Sequence, residues 1–185
     1  MMLKKIDKTY WVVLLIIGGI TGVLSGFFGP DLIHNTLFKH GDTFWVITPS
    51  SANISMFVAA GFFILFCIGM IFVNKKWNYV GIIFLVLSIL LGYYANFGNY
   101  TLVSEHEIIF KNITKDVYQW DDIKQAIYVE EGYKKEGNLT VEGDKMFHLT
   151  FKDNKEETFE VSNRSLMANK IKQKLEEYDI EVQSK

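Results

Sequence analysis

Residues 77–113 read WNYVGIIFLVLSILLGYYANFGNYTLVSEHEIIFKNI, and the organisation of the chain turns on the change of character inside that stretch. Residues 77–97 form a run of 21 without Asp, Glu, Lys or Arg. A helix rises roughly 1.5 Å per residue, so such a run covers about 30 Å, the thickness of a bilayer hydrocarbon core. Beyond Tyr100 the long apolar run gives way to short segments. TLVS (101–104) and EIIFKNI (107–113) flank the polar pair Glu105-His106, the pattern of a β-hairpin.

Toward the N-terminus, two further runs lack Asp, Glu, Lys and Arg: YWVVLLIIGGITGVLSGFF (10–28) and ISMFVAAGFFILFCIGMIFV (54–73). In lipid a backbone must satisfy its own hydrogen bonds, so residues 10–28, 54–73 and 77–97 are expected to be helices. Tyr10, Trp11, Phe27, Phe28, Trp77, Tyr79, Tyr93, Tyr94 and Phe97 gather at their ends, as an interfacial belt requires. The first run follows a basic start containing Lys4 and Lys5, but Ser25-Gly26-Phe27-Phe28 offers no small-residue cleavage site, so it is read as an uncleaved helix.

Charge divides the chain in the same way. Residues 1–100 carry six Lys and three Asp, whereas residues 101–185 carry thirteen Lys or Arg against eighteen Asp or Glu. The expected domains are therefore a membrane part (1–99) and an acidic soluble part (100–185). A basic nucleic-acid binder is excluded, and a single cysteine, Cys67, excludes a disulfide-stapled miniprotein. The spans hold no ionisable groups, which argues against a pump or ion pathway. Gly18, Gly22 and Gly26 recur every four residues, and Ser88, Gly92 and Asn96 repeat that spacing in the third span. Small residues let helices approach closely, either within the chain or between copies of it, so a homo-oligomer through this glycine-rich face is possible.

Pro30 and Pro49 bracket the connection 29–53 as turn residues. Its Asp31, His34, His40 and Asp42 follow no ligand spacing with a physical basis, and it reads as a hydrated loop in which 43–47 (TFWVI) lies at the interface. In the soluble part, strands are expected at 101–104, 107–113, 117–120, 124–131, 138–141, 146–152 and 156–161, seven in all. Ser162 or Asn163 would cap a closing helix running to about Tyr178, with Met167, Ile171, Leu175 and Tyr178 as its apolar stripe.

The strand ending Tyr118-Gln119-Trp120, the turn Asp121-Asp122-Ile123, a long strand, a hairpin around Asp153-Asn154-Lys155 and a closing helix together resemble the pleckstrin-homology-like (PH-like) domain of bacterial membrane proteins. The resemblance covers about 80 residues. It implies an α+β membrane protein: three transmembrane helices followed by a small PH-like barrel or sandwich with a C-terminal capping helix. Tyr118, Trp120, Asp121, Asp122 and Ile123 would form a packing-and-turn motif, with Trp120 and Ile123 in the core and the two Asp closing the turn. Phosphoinositide binding is not implied, because Ser104-Glu105-His106-Glu107 stands where lipid-binding relatives place Lys and Arg.

Catalytic, cofactor-binding and metal-binding residues are all expected to be absent. No P-loop, G-x-S-x-G or H-E-x-x-H occurs, and the neighbouring carboxylates Asp121/Asp122, Glu130/Glu131 and Glu156/Glu157 are poorly disposed for acid–base work. The reading is a non-catalytic integral membrane protein whose PH-like domain serves as an interaction or scaffold module, partnered by the bilayer and by a protein or peptide. An alternative is protection or immunity against membrane-active peptides, which the bacterial resemblance and the acidic half suggest; a third is an accessory subunit of a transporter. Lys4, Lys5, Lys8, Lys75 and Lys76 against Lys39 place the N-terminus in the cytoplasm of a multi-pass cell-membrane protein, so three crossings leave the acidic domain outside.

Overall fold

The computed structural model describes residues 7–72, 75–132, 134–136, 139–141, 143, 145–161 and 165–184. Lys4, Lys5, Val73, Asn74, Asn138 and the expected cap at Ser162 or Asn163 lie outside the described residues, as does the Lys75 side chain. The chain is an α+β protein of two compact units, one helical (1–38, 50–100 and 112–114) and one largely β (39–49, 101–111 and 115–185).

The helical unit contains α1 (Lys8–Leu37), α2 (Ser50–Ile71) and α3 (Lys75–Tyr93), the last followed by one π-helical turn, Tyr94–Gly98. All three helices are long and apolar enough to cross a membrane. Asp7 starts α1 by accepting a hydrogen bond from the Thr9 N–H at 3.2 Å.

α1 corrects two sequence expectations. It runs nine residues past Phe28 to Leu37, carrying Pro30 inside the helix rather than in a turn. Gly29 accounts for part of this tolerance, because the clash that normally bars helix before proline involves the preceding Cβ. His34, expected in a hydrated loop, is fully buried on α1, with its ring 5.3 Å from that of Tyr100 and 5.8 Å from that of Phe38.

Glycines set the approach of α1 to α2. A Cβ placed on Gly22 would lie 2.6 Å from the Ala60 Cβ, and one on Gly18 or Gly26 would meet the ring of Phe63 or Phe57. α2 and α3 approach through a pair the sequence reading missed, Gly69 and Gly81: a Cβ on Gly69 would sit 3.2 Å from the Gly81 Cα. Ser88 Oγ donates to the Ala59 carbonyl at 2.8 Å across the same pair of helices. After α3, Asn96 is buried and returns its Nδ2 to the Gly92 carbonyl at 2.7 Å, and Asn99 Nδ2 donates to Ser51 Oγ at 2.7 Å.

The β unit holds β1 (Thr43–Ile47), β2 (Asn99–Ser104), β3 (Glu107–Asn112), β4 (Thr114–Gln119), a 3₁₀ turn (Trp120–Asp122), β5 (Ile123–Glu130), β6 (Lys134–Glu136), β7 (Leu139–Val141), β8 (Lys145–Phe151), β9 (Glu156–Glu160), α4 (Ser165–Glu177) and β10 (Val182–Ser184). Among the described residues there are ten strands, two of them (β1 and β10) outside the 101–161 region where seven were expected. β1 is the residue 43–47 segment that the sequence suggested for a membrane interface. It pairs antiparallel with β2, Val46 opposite Leu102 and Ile47 opposite Thr101, and residues 39–49 group with the β unit. β10 pairs parallel with β5, Val182 opposite Ala126.

The sheets run β1-β2-β3-β4 and β10-β5-β8-β9, with β6–β7 a separate hairpin. One core joins both: Val103 and Ile108 from the first, Leu149 and Phe151 from the second, with Trp120 between. Alternation places Phe147 directly opposite Phe159 across β8 and β9. Met167, Ile171 and Leu175 of α4 are fully buried, while Tyr178, expected in the same stripe, is 40% exposed because α4 has ended at Glu177.

α4 is also held by charge. Glu105 receives Lys170 at 2.7 Å and Lys174 at 3.0 Å, and Lys170 Nζ lies 4.1 Å from the Phe44 ring centroid. These two ammonium groups hold the Glu105 carboxyl below its usual range, through the hydrogen bond from Lys170 first. Ile113, between β3 and β4, has φ +67°. That left-handed conformation costs a β-branched side chain roughly 1–3 kcal/mol.

Candidate functional site

The Tyr118–Ile123 motif occupies the turn from β4 to β5. Trp120 is fully enclosed and its indole N–H donates to the Ser104 carbonyl at 3.1 Å. Tyr118 stacks on Phe151 with centroids 3.7 Å apart, and Ile123 is buried. Burial pushes the Tyr118 phenol up from its ordinary value. The two aspartates differ in role. Asp122 Oδ2 accepts from the Gln119 N–H at 2.9 Å and closes the 3₁₀ turn, while its carbonyl accepts from the Lys152 N–H at 2.8 Å, tying the turn to the end of β8. Asp121 points outward and is exposed.

Asp121 and Ile123 form one wall of a surface groove of about 630 Å³. The opposite wall comes from the segment after α4. Tyr178 and Asp179 close the helix through 3.2 and 3.1 Å bonds to the Leu175 and Glu176 carbonyls. Asp179 takes a left-handed φ of +58°, and the Ile180 N–H turns back to the Leu175 carbonyl at 2.9 Å. This is the C-terminal capping geometry that redirects a chain out of a helix. It delivers Glu181 and β10 alongside β5, where Gln125 Nε2 donates to Gln183 Oε1 at 3.4 Å.

The groove therefore has the partly exposed Ile180 as apolar surface, the buried Ile123 at its floor, Tyr178 at its margin, and a rim of Asp121, Asp179 and Glu181 interspersed with Lys124 and Lys152. Among the described residues that line it, the titratable side chains are these carboxylates and ammonium groups and the Tyr178 phenol. β10 is an outer strand of its sheet, and the mixed charge of the rim lies beside it.

Sequence reasoning reached two of the groove residues, Asp121 and Ile123, through the turn motif. It missed Lys124, Lys152, Ile180 and Glu181 as a group. Their only joint signal would have been β10, and three residues after a helix carry no periodicity.

In the helical unit, Gly18, Gly22, Ser88 and Gly92 line a cleft of about 340 Å³ bounded by all three helices, and Gly26 lies outside it under Phe57. The hydroxyls of Thr21 and Ser88 donate to the Ile17 and Ala59 carbonyls, both at 2.8 Å, and Ser25 also lines the cleft. Gly92 faces open space, with nothing within 4 Å of a Cβ built there. Among the described residues no group of three or more His, Cys, Asp or Glu is placed to hold a metal ion. Asp31 and His34 lie on α1, His40 and Asp42 in the turn before β1.

The chain matches no family model, no curated protein and no solved structure.

Proposed function

We propose that the chain is a multi-pass protein of a bacterial cell membrane whose PH-like β unit is a non-catalytic interaction module, taking an extended segment of a protein partner in the groove between the Asp121 turn and β10. The observation that carries this reading is the groove itself: the partly exposed Ile180 and Tyr178 flanked by three carboxylates and two ammonium groups, next to an outer strand of the sheet. Such a rim discriminates partners by charge pattern more than it adds affinity. The three apolar helices supply the membrane anchorage. The glycine face of α1 lies against α2 of the same chain, which supports packing within the chain as its role.

A photo-crosslinking residue at Gln183, introduced into the full chain in cells, tests the groove. One adduct of defined mass is expected, absent when the crosslinker sits at Glu160 on the outer strand of the opposite edge, and lost with Lys124→Glu plus Lys152→Glu. Equal labelling at Gln183 and Glu160 would remove the groove from the function. Increased sensitivity of a strain lacking the chain to cationic membrane-active peptides, without a Gln183 adduct, would favour the protective reading instead.

The lysine distribution supports an extracytoplasmic β unit. A cysteine at the exposed Glu156, on a Cys67→Ser background, should react with a membrane-impermeant thiol reagent in intact cells. Reaction only after lysis would reverse the orientation.

A further inference from the structure

The turn between β3 and β4 combines three features that a surface hairpin does not need. Its central residue, Ile113, holds a left-handed backbone with φ +67°, a conformation that glycine or asparagine adopts readily and a β-branched residue resists. The same isoleucine is 72% exposed. Residues 112–114, finally, cluster with the helical unit rather than with the strands they connect. The Ile113 N–H donates to the Gly98 carbonyl at 2.8 Å, and the Tyr94 hydroxyl donates to Asn112 Oδ1 at 3.2 Å. Both partners belong to the π-helical turn Tyr94–Gly98 that ends the third apolar helix.

That helix end is where aromatic side chains gather. Tyr93 is 66% exposed and Phe97 39% exposed, their rings 5.3 Å apart. Aromatic residues at the end of an apolar span mark the level of the headgroups. A turn bonded to Gly98 and Tyr94 shares that level, so its exposed isoleucine meets the acyl–headgroup boundary rather than bulk water. Two hydrogen bonds to the helix end hold the turn in place, and the apolar side chain is presented outward at the cost of backbone strain.

We propose that the β3–β4 turn is a membrane-interface anchor, in which Ile113 inserts into the lipid beside Tyr93 and Phe97. The partner is the lipid boundary of the bilayer that the three helices cross, and the inference rests on the membrane reading given above. It adds a lipid contact from a strand connection to those made by the helices.

Single cysteines at Ile113, at Ile20 on the exposed middle of α1, and at Glu156 on β9, each on a Cys67→Ser background, would carry an environment-sensitive fluorophore in the full chain reconstituted into phosphatidylcholine–phosphatidylglycerol vesicles. A lipid-borne spin label near the headgroup, one deep in the acyl region, and aqueous iodide would serve as quenchers. For an interfacial residue buried roughly 5–10 Å, the shallow label should quench Ile113 at least about twofold more than it quenches Glu156. Ile20 should respond most to the deep label. Ile113 behaving like Glu156 while Ile20 is quenched by lipid would overturn the anchor and leave the membrane reading standing. Ile20 unquenched by lipid would overturn the membrane reading and the anchor with it. Ile113 shielded from lipid and iodide alike would mean that protein covers the turn and would refute insertion.

Discussion

Replacing Trp120 probes whether the Tyr118–Ile123 turn carries the stability of the β unit. The indole is fully buried, so Trp120→Ala removes the largest enclosed side chain of the core, a loss of roughly 3–5 kcal/mol in transfer and cavity terms. It also removes the donor to the Ser104 carbonyl, and leaving a buried acceptor without that bond costs about 1–3 kcal/mol more. Together these approach the whole stability of an ordinary domain, about 5–15 kcal/mol. Trp120→Phe retains much of the ring's apolar contact but not the donor, so about 1–3 kcal/mol is expected, close to the hydrogen-bond term alone. Val117→Ala, at a position 44% exposed, should fall within about 0.5 kcal/mol. Because Trp11, Trp45 and Trp77 would contribute to fluorescence and the chain has two units, the measurement is pulse proteolysis of the β unit in urea on the detergent-solubilised full chain. A Trp120→Ala shift below about 1 kcal/mol, or one no larger than that of Trp120→Phe, would refute the reasoning.

Gly22→Leu should disrupt α1–α2 packing and lower the yield of folded protein, because its Cβ would press on Ala60; Gly19→Leu, with nothing within 4 Å, should match the wild-type chain in size-exclusion and proteolysis. Ile47→Asp should destabilise the β unit by about 3 kcal/mol or more, since β1 places that side chain in the core, and residues 100–185 expressed alone should melt less cooperatively than the same segment fused to residues 39–49. Glu105 has a depressed folded-state pKa, so its contribution is present above the unfolded value of about 4.3 and is lost as pH falls through the folded one. Glu105→Gln should therefore flatten the acid side of the stability–pH curve, by about 1 kcal/mol or less because the carboxylate is 37% exposed.

Some of this architecture is legible in residue order alone. Runs without charge at the length of a bilayer admit few structures besides helices, because a backbone without water must bond to itself. Alternation in residues 146–151 and 159–161 needs only the two-residue period of a strand to predict a shared buried face, and Met167, Ile171 and Leu175 need only the helical period. The packing role of Trp120 came from the resemblance of the turn motif and not from any period in the residues around it.

Tertiary structure decided what local pattern leaves degenerate. Thr43–Ile47 has the aromatic and β-branched composition of a membrane-interface segment or of a strand, and pairing with β2 makes it a strand whatever its depth. Pro30 signals a turn in isolation, yet α1 continues through it because the packed helix outweighs one lost backbone bond. His34 is polar by composition and buried by position, enclosed with Phe38 and Tyr100. β10 has no period to read in three residues, and its parallel partner lies more than fifty positions earlier. The groove inherits that limit. Asp121 and Ile123 were visible as a turn, but the wall facing them exists only because Asp179 redirects the chain beside β5. Periodicity is a property of neighbours along the chain, whereas a binding surface is a property of neighbours in space.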